Sequence, residues 1–152
     1  MTALPVSPEK RRSHGPCFVC GPDNPCGMGV EWYVLGERIR TRFTFGQAQQ
    51  GPPGHAHGGA VSAILDEAMG ASVWLGGHQA MAAKLNVDFL APIPLGVEVE
   101  VEAWVTEVDG RKSSAKGRMV RAADGVLLAQ ATSLFVAVPE FFANQHEALE
   151  GT

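Results

Sequence analysis

No stretch of about 18 uninterrupted apolar residues occurs in the chain, so nothing in it reads as a membrane-spanning helix. A basic excess is also missing. Twelve Lys and Arg stand against sixteen Asp and Glu, for a formal charge of −4, and no Lys/Arg cluster exceeds a few residues. Nucleic-acid binding is therefore not expected. The same charge attracts no anionic small molecule, so any phosphate contact has to be local. The opening MTALPVSPEKRR places Pro and charge where an export signal needs an apolar segment. The three cysteines are an odd count, which fits a reducing cytoplasm better than a disulfide framework. No Gly-x-Ser-x-Gly elbow and no Ser-His-Asp arrangement is visible. There is no internal repeat and no low-complexity segment.

What is present describes one globular domain over residues 1–152, with 1–28 as an N-terminal arm and 139–152 as a C-terminal tail. The arm holds five of the ten prolines and little periodicity. A short strand is expected at Val30–Val34 and a turn at Gly36. In Arg38–Phe45, Ile39, Phe43 and Phe45 share one face, and Arg38, Arg40 and Arg42 share the other, where they can pair with acidic neighbours across strands. From His57 the period changes. Val61, Ile64, Leu65, Ala68 and Ser72 form a stripe at helical spacing that ends at Gly76-Gly77. Strand signals follow: Leu85, Val87 and Phe89; then Val97–Val105 alternating with Glu98, Glu100 and Glu102; then two further runs entered through Asp109-Gly110 and Asp124-Gly125. The expected order is two strands, one helix, then four strands as a meander, an α+β domain. Glu98, Glu100 and Glu102 mark a face that could be wet. The last run, apolar on both faces, reads as a central strand that a second copy helps to cover.

The chemistry centres on His57-Gly58-Gly59-Ala60-Val61-Ser62-Ala63-Ile64-Leu65-Asp66-Glu67. Glycines at a helix start leave N–H groups approachable, and with the helix dipole they make an oxyanion site. Asp66 lies about 140° from the centre of the apolar stripe, at 100° per residue. Its neighbours on that face, Gly59, Ser62, Ala63 and Gly70, are all small, which admits another backbone or a ligand. A carboxylate there can serve as general base or nucleophile. Gly58 and Asp66 are eight residues apart, roughly 12 Å along a helix. One chain cannot easily bring both to one carbonyl, whereas two antiparallel helices from two subunits can. The expected site is therefore shared across a two-fold interface.

The segment HGGAVSAILDEAMG resembles the helix motif of hotdog-fold thioesterases of the PaaI-like and 4-hydroxybenzoyl-CoA thioesterase superfamily. In the PaaI-like group the carboxylate stands nine residues after the His, as Asp66 does after His57. Lys84–Gly96 is similar to the first strand after that helix, and CFVCGPDNPCGMG resembles the opening of one subgroup. The resemblance implies a hotdog fold, one long helix wrapped by a five- to six-stranded antiparallel sheet, and hydrolysis of an acyl-CoA thioester. It implies that the Gly58 N–H polarises the carbonyl, that Asp66 activates water or attacks directly, and that His57 supports the oxyanion site. A dimer or dimer of dimers is expected. No cofactor is, because CoA enters as part of the substrate. Two positions depart from the pattern: Ala82, ten residues before Pro92, where many relatives carry Ser or Thr, and Gly51, six before His57, where many carry Asn. Gln49 or Gln50 is the nearest substitute for the latter.

Further substrate contacts are expected from Gly59, Gln50, Ala82 and Asn86, with Met69, Val73 and Trp74 lining an acyl pocket and Lys84 and Arg111 meeting CoA phosphates, as Lys112 could. Cys17-x2-Cys20, with Cys26 and His14 nearby, supplies one CxxC pair where a structural zinc site wants four ligands, and His55-x-His57 has no third partner, so no metal is expected. Two rivals remain. A hydratase or dehydratase on the same fold would want an Asp five residues before His57, where Pro52 stands; a non-catalytic acyl-CoA or aromatic-ligand binding module would tolerate the changes at Ala82 and Gly51.

Overall fold

A computed structural model describes residues 9–10 and 15–143. The stripe at helical spacing folds as α1 (Gly58–Leu75), with Val61, Ile64, Leu65, Ala68 and Ser72 all buried. Seven strands form one antiparallel sheet: β1 (Glu9–Lys10), β2 (Tyr33–Leu35), β3 (Arg38–Thr44), β4 (Ala80–Phe89), β5 (Glu98–Asp109), β6 (Lys112–Arg121) and β7 (Leu127–Ala137). The two-residue β1 adds a rung in the arm to the six expected strands. The spatial order is β1-β2-β3-β5-β6-β7-β4. Gly36, Gly110 and Gly125 take positive φ at the turns where glycine was expected.

Helix and sheet meet closely. A Cβ at Gly117, in the middle of β6, would lie 3.3 Å from Leu65 Cδ2 and Met69 Cγ, so glycine there lets α1 settle onto the sheet. Ile64, Leu65, Met69 and Val73 are wholly buried, with Val99, Val101 and Ala103 of β5 beneath the helix. Each of the larger of these side chains contributes about 1.5–3 kcal/mol by leaving water.

Three expectations are corrected. Of the four strands after α1, β5, β6 and β7 form a consecutive meander, whereas β4 crosses to pair with β7 from Ala80↔Ala137 to Phe89↔Ala129, which makes it the outer strand on that side. β7 is thus interior in the sheet, buried on the face toward α1 and with Gln130 and Thr132 exposed on the other. The glutamate face is wet only at its Glu98 end: Glu100 and Glu102 are buried, because Arg38, Arg40 and Arg118 converge on Glu102, and Arg42 reaches Glu98 and Glu100. Arg38 and Arg118 also lie over the Trp104 ring. The last part of the arm is not a bare loop either. Val19, Cys20 and Met28 are buried with Val30 and Trp32 in the main core, and Met28 and Val30 donate to the Phe18 and Val19 carbonyls.

β4 is exceptional in its exposure. Met81 is 50%, Leu85 38% and Phe89 56% exposed, with Leu90 beyond it at 52%. An outer strand with open backbone groups and uncovered apolar side chains is a pairing template.

Candidate active site

The tip of α1 is built by the loop before it. Gln49 and Gln50 spend their side-chain carbonyls on the Gly46 and Gly54 amides, and the Gln49 backbone carbonyl accepts the His57 N–H at 2.7 Å. Gly51 packs directly beneath His57: a Cβ there would sit 2.8 Å from His57 Cα and 3.1 Å from its ring. The Gln50 side-chain carbonyl is thus engaged in holding the loop.

His57 caps the helix. Its Nδ1 accepts the Gly59 N–H at 2.8 Å, and its carbonyl accepts the Ala60 and Val61 amides. Among the described residues the Gly58 N–H alone in this first turn has no acceptor, so the open donor is Gly58, and Gly59 is already engaged. The Phe89 ring lies against Gly58, where a Cβ would meet it at 3.3 Å. Around them Pro52, Ala56, Val61, Leu90 and Ile93 line a largely apolar cleft of about 550 Å³. A larger hollow of about 720 Å³ lies at the other end of α1, around Ser72, Gly76 and Trp104, and contains none of the expected site residues except through the helix they share.

Two turns along, Asp66 is half-buried, and its Oδ1 is buried without a hydrogen-bond partner among the described residues. Burial, and after it the charge of Glu67 beside it, pushes this carboxyl above its ordinary value of 3.8. The Ser62 hydroxyl, one turn earlier, is spent on the Gly58 carbonyl. An unpartnered buried carboxylate oxygen costs free energy wherever nothing else compensates it.

Not every expected residue joins this place. Met69 and Val73 are fully buried against the sheet, because the covered face of α1 is broader than the stripe, and neither borders the cleft beside Gly58. Trp74 donates from Nε1 to the Ala80 carbonyl and meets Phe142 edge-on. Ala82, Lys84 and Asn86 lie exposed along β4; Asn86 lines a hollow with Asp88, Trp104 and Lys116 on the sheet face turned from the helix. Arg111 holds the Ala137 carbonyl, opposite the start of β4, so nearly the whole ten-residue strand, roughly 30 Å, separates it from Phe89 and the Gly58 tip. The thiols of Cys17 and Cys20 meet Glu67, a partner that no sequence spacing pointed to. Phe89 and Leu90 were also missed as neighbours of the tip, although the apolar run Phe89-Leu90-Ala91-Pro92 breaks the alternation of β4 where it ends. His14 lies outside the described residues.

One helix against an antiparallel sheet, with an open amide at the helix tip and a carboxylate two turns along it, defines a hotdog-type α+β domain. A model of the thioesterase superfamily matches residues 53–128, half of the chain, and the chain belongs to that family. It is 35% identical over 115 residues to the acyl-coenzyme A thioesterase THEM4 of Xenopus laevis, covering 72% of this chain and 51% of that protein. It is 30% identical over 132 residues to THEM4 of Bos taurus, covering 84% and 54%. The chain thus spans about half the length of these curated relatives. Among solved structures it superposes on the thioesterase superfamily protein RHA08564 with a TM-score of 0.73 at 34% identity, covering 78% of this chain and 61% of that one. A phenylacetic acid degradation protein PaaI from Thermus thermophilus, at 21% identity, shares the fold with a TM-score of 0.67, covering 73% and 95%.

Proposed function

We propose that the chain hydrolyses an acyl-CoA thioester of a small aromatic or short- to medium-chain acid, at a site completed by two copies of itself. The observation that carries this reading is the pair of unsatisfied groups on one helix: the buried Asp66 Oδ1 and the open Gly58 N–H. Asp66 acts as general base or nucleophile. As base it takes a proton from water while the water oxygen bonds to the thioester carbon; the Gly58 N–H holds the resulting oxyanion; collapse breaks the C–S bond, and the departing thiolate recovers the proton. The names of the curated relatives support the reaction class, and the apolar cleft beside Gly58 suits an acyl group.

Two copies are invoked for two independent reasons. Eight residues of helix, about 12 Å, separate the donor from the carboxylate, whereas both must lie within roughly 3 Å of the reacting atoms or one water away. β4 in addition leaves an unpaired edge and a row of exposed apolar side chains, which a second β4 would cover. The test is a panel of acyl-CoA esters assayed with a thiol reagent, wild type beside Asp66→Asn. Free thiol release by the wild type, abolished in the variant, supports the proposal. An intact, hydrated thioester product would favour a hydratase, and an unchanged rate in Asp66→Asn would remove Asp66 from the mechanism.

A further inference from the structure

The loop from Cys17 to Gly21 presses against α1 on the residue after Asp66. The Cys17 carbonyl accepts the Gly21 N–H at 2.9 Å, and Gly21 is indispensable to the turn, since a Cβ there would lie 2.2 Å from the Cys17 nitrogen and 2.2 Å from the Gly15 carbonyl oxygen. Asn24 locks the loop from the far side: its Nδ2 donates to the Pro16 carbonyl and its Oδ1 accepts the Cys26 N–H. This tight knuckle presents two sulfurs to one carboxylate oxygen. Cys20 Sγ lies 3.2 Å and Cys17 Sγ 3.8 Å from Glu67 Oε1, and the three donor atoms all fall within 4.8 Å of one another. The three residues come from places 47 and 50 positions apart in the chain.

We propose that Cys17, Cys20 and Glu67 form a binding site for a thiophilic divalent cation of the zinc class. In tetrahedral zinc coordination, with Zn–S near 2.3 Å and Zn–O near 2.0 Å, a sulfur and an oxygen ligand stand about 3.5 Å apart. The two sulfur–oxygen separations here bracket that value, so each sulfur stands from the carboxylate at about the spacing an ion would impose. Without an ion the same geometry serves as thiol-to-carboxylate hydrogen bonds. Binding converts both thiols to thiolates and releases their two protons, and leaves the fourth tetrahedral position to water or a further donor. Cys20 is buried, Cys17 and Glu67 half-buried, and Cys26, exposed on the same loop, is outside the cluster. A bound ion would staple the N-terminal loop to α1. This inference stands apart from the hydrolytic reading, because it uses no residue of the proposed reaction.

The test uses the full-length chain, reduced and freed of metal with a chelator. It is titrated with Zn²⁺ against a chromophoric competitor, and separately with Co²⁺ to read thiolate-to-metal charge transfer. One ion per chain is expected, with a rise in Tm that grows with free zinc. Cys26→Ser should bind as the wild type does. Cys17→Ser and Glu67→Gln should weaken binding by more than the roughly 10–100-fold typical of groups outside the ligand sphere. Should the cysteine variant fail to fold, the near-isosteric Glu67→Gln decides. No stoichiometric binding by the wild type, or affinity unchanged in Glu67→Gln and in a Cys17→Ser/Cys20→Ser double variant, would overturn the proposal.

Discussion

The Nδ1 of His57 accepts the Gly59 N–H at 2.8 Å, so the side chain preceding α1 closes one amide at the helix tip and leaves its neighbour Gly58 open. A capping role predicts a specific pattern of stability. His57→Ala should cost about 1 kcal/mol in chemical denaturation, and His57→Asn, which restores an oxygen acceptor, should recover most of it. A loss of the same size in both variants would show that His57 does something other than cap.

Asp66→Asn should lower kcat by at least about 100-fold, the scale for removing a positioned acid or base. The same change should raise Tm at neutral pH. The folded carboxyl is held above its ordinary 3.8, so ionised Asp66 opposes folding above that range; the advantage of Asn should fade as pH falls toward 3.8, where the folded chain keeps its proton at no penalty. Melting curves across that window check the trend.

A shared site can be tested by mixing two dead variants. Gly58→Pro removes the N–H while fitting the first helical position, and His57, with ψ at 137°, already has the extended backbone a following Pro requires. If each site takes Asp66 from one chain and Gly58 from the other, co-folded Asp66→Asn and Gly58→Pro chains regain one intact site per mixed dimer. Random pairing then yields roughly a quarter of wild-type activity. A mixture as inactive as its parents would place both groups of a site on one chain.

If β4 is the dimer edge, a charge in its apolar row should break the assembly. Leu85→Lys should weaken self-association by at least about tenfold in sedimentation, and activity per chain should fall on dilution. A dimer of unchanged affinity would move the interface elsewhere.

Burial alone would raise the Glu102 carboxyl, but hydrogen bonds from Arg38 and Arg118, with the charge and hydrogen bond of Arg40, outweigh it and hold the group below its ordinary 4.5. Its contribution to stability is therefore complete above 4.5 and lost as pH falls through the lowered value. Glu102→Gln removes the carboxylate on which Arg38, Arg40 and Arg118 converge and should cost about 3 kcal/mol at neutral pH, with the gap to wild type closing in acid.

Local signals carried a large part of this architecture. The Val61-to-Ser72 stripe, the Gly76 stop and the two Asp-Gly turns report periods and backbone needs confined to a few neighbouring residues, and the elements formed where those signals lie. What the residues did not disclose depends on partners far away in the chain. The alternation around Glu100 and Glu102 looks like a wet face until Arg38, Arg40 and Arg118 are brought over it. The place of β4 beside β7 follows from the crossover of the whole sheet. Met69 and Val73 went to the core because α1 is covered over a wider arc than its stripe. Glu67 met Cys17 and Cys20 through a loop whose path no spacing encodes. Asp66 and Gly58 stand out as candidates because glycine at a helix tip and a carboxylate among small side chains break ordinary surface composition.

The wall of His57 behind Gly51 restricts how this chain can change. Even a methyl group here would press on the His57 backbone. Swapping Gly51 for Asn would thus dislodge the helix tip before it offered any new contact. A larger side chain at position 51 requires the His57 backbone to move with it, which ties the loop before α1 to the geometry of the open amide at the helix tip.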